Sequence, residues 1–227
     1  MAVKTELKVV APRSIESTIL PALTWQRLAA LLAGSIFILT LLGIRALNTP
    51  ESSLGAMVLF HLDRELNIVT MFSAGLLVAN GCLVWQMVRS RLFKKAITGL
   101  AFLFLFMGAD EMLKIHETLE KWSGIDWQIL YSPLILAAGI GWLMVWWKSE
   151  GLTRVLWTAG AGFWVISQLL EAIQWGWGSE SQSVHYNLMM VSEEVLEMSG
   201  SALFLIAVFR ILRPSFDGSR TALRQGK

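Results

Sequence analysis

Residues 96–117 read AITGLAFLFLFMGADEMLKIHE, an apolar run long enough to cross a hydrocarbon core that ends in Asp110, Glu111, His116 and Glu117. A spanning helix needs roughly 20 mostly apolar residues. Five further stretches meet that test, at 28–46, 66–88, 130–147, 155–175 and 187–209. The expected fold is all-α, a polytopic membrane bundle of six transmembrane helices. Composition agrees, because 55% of the 227 residues are hydrophobic, 16% are charged and 11 are Trp, outside the soluble globular range.

The formal charge of +2 is spread over loops between apolar segments, a pattern of membrane topology and not of a nucleic-acid partner. With both termini in the cytoplasm, Arg45, Arg64, Lys114 and Lys121 are the outer members of 19 Lys and Arg, and Glu6, Glu16, Glu150 and Asp217 the inner members of 17 acids. That split follows the positive-inside rule and assigns the chain to an inner (plasma) membrane. Residues 1–24 form a cytoplasmic N-terminal segment without the order of a cleavable signal, 25–213 the transmembrane domain and 214–227 a cytoplasmic tail. Trp122, Trp127, Trp175 and Trp177 form an outer aromatic belt, and Trp25, Trp85, Trp146, Trp147 and Trp157 an inner one. Cys82 stands alone, so it forms neither an internal disulfide nor a thiolate metal cage. No nucleotide or flavin signature is present.

Counting from the basic anchors gives depth. Asp110 and Glu111 are 15 and 16 residues beyond Lys95, ~22 to 24 Å into a core about 30 Å thick. Glu171 is 17 residues beyond Arg154, and Glu197, Glu194 and Glu193 are 13, 16 and 17 before Arg210, ~20 to 26 Å. Three helices thus carry acids at one level. Asp63, Asn67, Thr70, Ala74 and Gly81 make one small or polar face on the second span. The second, third, fifth and sixth spans are expected to form a polar-cored four-helix centre, with the first and fourth facing lipid.

Intramembrane carboxylates cost ~2.5 to 3.5 kcal/mol each on insertion scales, so this cluster needs protons, basic partners or a metal. All three histidines, His61, His116 and His185, fall at outer helix ends. Imidazole and carboxylate from several helices is the donor set of Fe, Mn or Zn sites. Glu111, His116, Glu194 and Glu197 are the expected ligands of a divalent metal. Asp110, Glu117, Asn67, Glu171 and Asp63 stand behind them, and Glu65 and Glu193 act as acid or base. Bland roles compete: His61 and His185 as interfacial rings, Glu120 and Lys121 as an exposed salt-bridged helix end, and Ser167, Gln168 and Gln174 as interhelical hydrogen bonds.

The strings 60–67 (FHLDRELN), 110–117 (DEMLKIHE) and 193–200 (EEVLEMSG) resemble those of a group of bacterial multi-pass membrane proteins of unassigned function. The resemblance covers the second, third and sixth spans and implies that these acids belong together. The expectation is a membrane protein with a carboxylate and histidine metal site near the periplasmic face, serving a metal-dependent reaction on a lipid-soluble or periplasmic molecule. A proton- or cation-coupled transporter and a non-catalytic subunit of a membrane complex are the alternatives.

Overall fold

The computed structural model describes residues 24–62, 64, 66–89, 96–176 and 184–225. The described chain is helical: α1 (Trp25–Leu47), two 3-10 turns (Glu51–Ser53 and Gly55–Phe60), α2 (Ile68–Arg89), α3 (Ala96–Leu113), α4 (Ile115–Ser123), α5 (Trp127–Leu130), α6 (Ser132–Lys148), α7 (Gly151–Gly176) and α8 (Val184–Gln225). Among the described residues α1, α2, α7 and α8 are long and apolar enough to cross a membrane, the build of an integral membrane protein. Asp63, Glu65 and the side chain of His185 lie outside the described residues.

Helix α1 is capped by Thr24, whose hydroxyl accepts from Arg27 N at 3.2 Å. It rests on α2 and α8 through Leu32, packed with Leu76, Ala202, Leu205 and Ile206. Leu31, Phe37, Ile38 and Leu41 remain more than half exposed. A helix apolar around most of its surface is stable in lipid.

Glycines set the closest crossings, where van der Waals packing and hydrogen bonds do most of the work in a bilayer. A Cβ at Gly200 would lie 2.9 Å from Gly160 O, and one at Gly160 would lie 3.0 Å from Gly200 O, so α7 and α8 touch backbone to backbone. Gly81 and Gly108 do the same for α2 and α3, against Ala101 O and Ala74 O. Polar ties add to this: buried Asn80 of α2 donates to Ser201 O of α8 at 2.8 Å, and Trp164 Nε1 of α7 donates to Ser201 Oγ at 3.1 Å. Helices α6 and α7 join near their shared turn, where Trp142 Nε1 donates to Trp157 O (3.3 Å) and Trp157 Nε1 to Trp142 O (3.1 Å).

Two expectations change. The third span does not continue to residue 117: it stops at Leu113, and Lys114 takes a left-handed conformation at φ 52°. The cause is Asp110, whose carboxylate accepts the backbone N–H of His116 at 2.8 Å and pulls the chain into a separate helix. The fourth span is not simply a lipid-facing element, because α6 packs on α3 and lines an internal cavity with Leu134, Ala138 and Trp142. Arg64 pairs with Glu51 at 3.0 Å.

Candidate functional site

A cavity of about 1030 Å³ lies between α2, α3, α6, α7 and α8, roofed by α4 and α5. Its floor is apolar, with Leu100, Phe104, Ala161 and Phe204, and its other end carries Glu111, Glu171, Glu193, Glu194 and Glu197. From Leu100 to Glu111 and from Phe204 to Glu193 is eleven residues, so the polar end stands ~16 Å along the helices from the floor.

Helix α3 brings Asp110 and Glu111, α7 brings Glu171, and successive turns of α8 bring Glu193, Glu194 and Glu197. These acids interact electrostatically: Glu111 with Glu171, Glu193, Glu194 and Glu197, and Glu194 with Glu193. Neutral donors from α5 and α7 meet them. Trp127 Nε1 donates to Glu171 at 3.0 Å, Gln168 Nε2 to Glu197 at 3.3 Å and Gln174 Nε2 to Glu193 at 2.7 Å. Glu194 Oε2 is shut off from solvent and has no hydrogen-bond partner among the described residues. A buried polar atom without a partner costs roughly 1 to 3 kcal/mol.

The three basic side chains that line the cavity have acid partners. Arg64 meets Glu51, Lys114 meets Glu117 at 2.6 Å, and His116 Nδ1 lies 2.8 Å from Asp110 Oδ2. Among the described residues no ion pair reaches Glu111, Glu171, Glu193, Glu194 or Glu197.

Asp110, 6% exposed, is the most connected acid. Its Oδ1 accepts from His116 N at 2.8 Å and from Tyr131 Oη at 2.9 Å, while Oδ2 faces His116 Nδ1. With Nδ1 engaged, Nε2 is the ring nitrogen left for chemistry in the cavity that His116 lines. A carboxylate holding one imidazole nitrogen is the arrangement that orients a metal ligand or a general base. Burial works against the His116 cation, but the Asp110 hydrogen bond and charge outweigh it and raise the imidazole above its usual range.

Of the residues expected from sequence, Asp110, Glu111, His116, Glu117, Glu171, Glu193, Glu194 and Glu197 all line this one cavity. Asn67 does not: its amide donates to Arg64 O at 2.8 Å and accepts from Thr70 N at 2.9 Å, which makes it the cap of α2. Glu117 is engaged by Lys114 and, at 3.6 Å, Lys121. His61, expected to have its ring nitrogens in water, has Nδ1 buried with no hydrogen-bond partner among the described residues. Among the described residues no three His, Cys, Asp or Glu side chains converge as a ready metal cage. Sequence reasoning missed Tyr131 and took Trp127 for a belt anchor. The signal available was their i, i+4 spacing just before a helix that opens with Pro133.

No curated protein and no solved structure matches the chain. A family model described as a domain of unknown function (DUF8692) matches residues 23–212, from the start of α1 to the packed end of α8, and the chain belongs to that family.

Proposed function

We propose that the chain is a six-span inner-membrane protein with both termini in the cytoplasm, and that its acid-lined cavity, near the periplasmic face, holds a divalent metal that serves a reaction on a lipid-soluble or periplasmic molecule. Helices α3, of 18 residues, and α6, of 17, are then the remaining two spans, each ~26 to 27 Å long and near the lower limit for crossing. Glu111, Glu194, Glu197 and His116 Nε2 are the ligands, Asp110 fixes the His116 tautomer, and Glu193 or Glu65 carries protons.

One observation carries the reading: Glu194 Oε2 is buried and has no hydrogen-bond partner among the described residues, beside four further carboxylates that no ion pair among those residues reaches. A cation bound there removes both deficits together, and the mixed oxygen and imidazole donor set favours Fe, Mn or Zn. Closing the ligands on one ion takes side-chain rotation about Glu111, Glu194 and Glu197, which border open volume. Cation-coupled transport fits less well, because the floor of the cavity is lined by Leu100, Phe104, Trp142, Ala161 and Phe204, which offer a cation no ligand.

The test is elemental analysis of protein purified in mild detergent. The proposal expects near-stoichiometric metal in the wild type, lost in both Glu194→Gln and His116→Ala while the variants stay folded by circular dichroism. Metal-free wild type after reconstitution with each of the three metals, or variants that keep the metal, would overturn it.

A further inference from the structure

The cavity has a side window as well as a polar end. Helices α6 and α7 are tied near their shared turn by Trp142 and Trp157, with Trp146 Nε1 donating to Thr158 Oγ1 at 3.0 Å. At the opposite end α5 bridges to α7, through Gln128 Nε2 to Gln168 O at 3.4 Å and Trp127 to Glu171. Between these ties the two helices make few contacts. Ile135 of α6 and Val165 and Leu169 of α7 line the cavity yet are 51%, 59% and 58% exposed. Gly139 of α6 also lines it, and a Cβ there would meet nothing within 4 Å.

A gap rimmed by exposed Ile, Val, Leu and Gly part-way along two membrane helices opens toward acyl chains and not toward water. The volume behind it is apolar for most of ~16 Å and ends at five carboxylates, with the rings of Trp127, Tyr131 and Trp164 on the walls. Such a space matches an amphiphile in shape and in charge. The apolar part takes the floor, and a polar end of positive charge meets the carboxylates and aromatic faces. An anionic end would find only carboxyl groups there, with no cation among the described residues paired to them.

We infer that the cavity binds a long-chain amine, which enters sideways from the bilayer between α6 and α7 and seats its ammonium against Glu194, whose Oε2 has no hydrogen-bond partner among the described residues. This rests on reading the cavity as membrane-embedded, takes the ammonium as an occupant of Glu194 that excludes a divalent metal there, and names the class of molecule that the site admits.

The experiment uses the full chain in lipid nanodiscs, with a long-chain primary alkylamine carrying a photoreactive group in its chain as probe. Wild type should be labelled saturably, and a matched unlabelled alkylamine should compete. The corresponding fatty acid and a short-chain amine should compete about tenfold or more weakly. Gly139→Trp fills the window from open space, and should reduce labelling about tenfold or more. Gly34→Trp, on α1 where a Cβ also meets nothing within 4 Å, should label like wild type. Glu194→Gln should lower affinity for the amine and leave any fatty-acid labelling no weaker.

Undiminished labelling of folded Gly139→Trp would overturn lateral access, and equal competition by the fatty acid would overturn the amine. The metal content of Gly139→Trp keeps this proposal apart from the preceding one. Normal metal with lost labelling supports the window whatever the metal does, and saturable labelling of a metal-free wild type removes the metal reading alone.

Discussion

Removing Asp110 and His116 singly and together tests whether the pair is one unit. Asp110→Ala strips the partner from His116 N, His116 Nδ1 and Tyr131 Oη, all within 2.9 Å of its oxygens. His116→Ala keeps the backbone N–H bond and loses only the ring contact. Loss of a buried, charged acceptor should cost about 3 to 5 kcal/mol, and loss of the ring about 1 to 2 kcal/mol. With side chains 9% and 21% exposed, the coupling should be about 1.5 to 3 kcal/mol, as for a hydrogen bond to a charged group. Denaturant unfolding of metal-free protein in detergent gives all four corners of the cycle. The sign of the pH dependence follows from the raised His116 pKa: the coupling is fully present below about pH 6.5 and is lost as pH rises through the folded-state pKa. A coupling below about 0.5 kcal/mol, or one that grows with pH, would refute the dyad.

The backbone contact of α7 and α8 makes a second prediction. Gly200→Ala puts a methyl 2.7 Å from Trp164 Cδ1 and 2.9 Å from Gly160 O, and should destabilise by about 1 to 3 kcal/mol. Gly162→Ala, whose Cβ meets nothing within 4 Å, should stabilise by about 0.5 to 1 kcal/mol through helix propensity; thermal unfolding of the two variants reads the opposite signs. Leu66 sits at φ 54° and is 59% exposed. Leu66→Gly should therefore raise stability by about 1 kcal/mol in the same assay, and a loss of stability would count against the left-handed turn before α2.

The sequence carried the material of the site because the bilayer makes polar residues conspicuous. An acid within an apolar run at a countable distance from a basic anchor can be placed in depth without any fold. That is why Glu111, Glu171, Glu193, Glu194 and Glu197 were expected at one level and line one cavity. Depth counting assumes an unbroken helix, and the expected span to residue 117 ends early, at Leu113, where Asp110 accepts the His116 N–H. Azimuth was the weaker coordinate, since Asn67 shares a face with Thr70 and Ala74 yet spends its amide capping α2.

By itself the sequence determined the helical, membrane-protein class and that its acids share one level along their helices, since both depend on hydropathy and rise per residue along one chain. Only the tertiary structure decided that α6 is a cavity wall, that Tyr131, Asp110 and His116 form one network, and that a window opens between α6 and α7. Each of these depends on how far apart helices stand, which Gly160 and Gly200 set for α7 and α8 and which no single segment encodes.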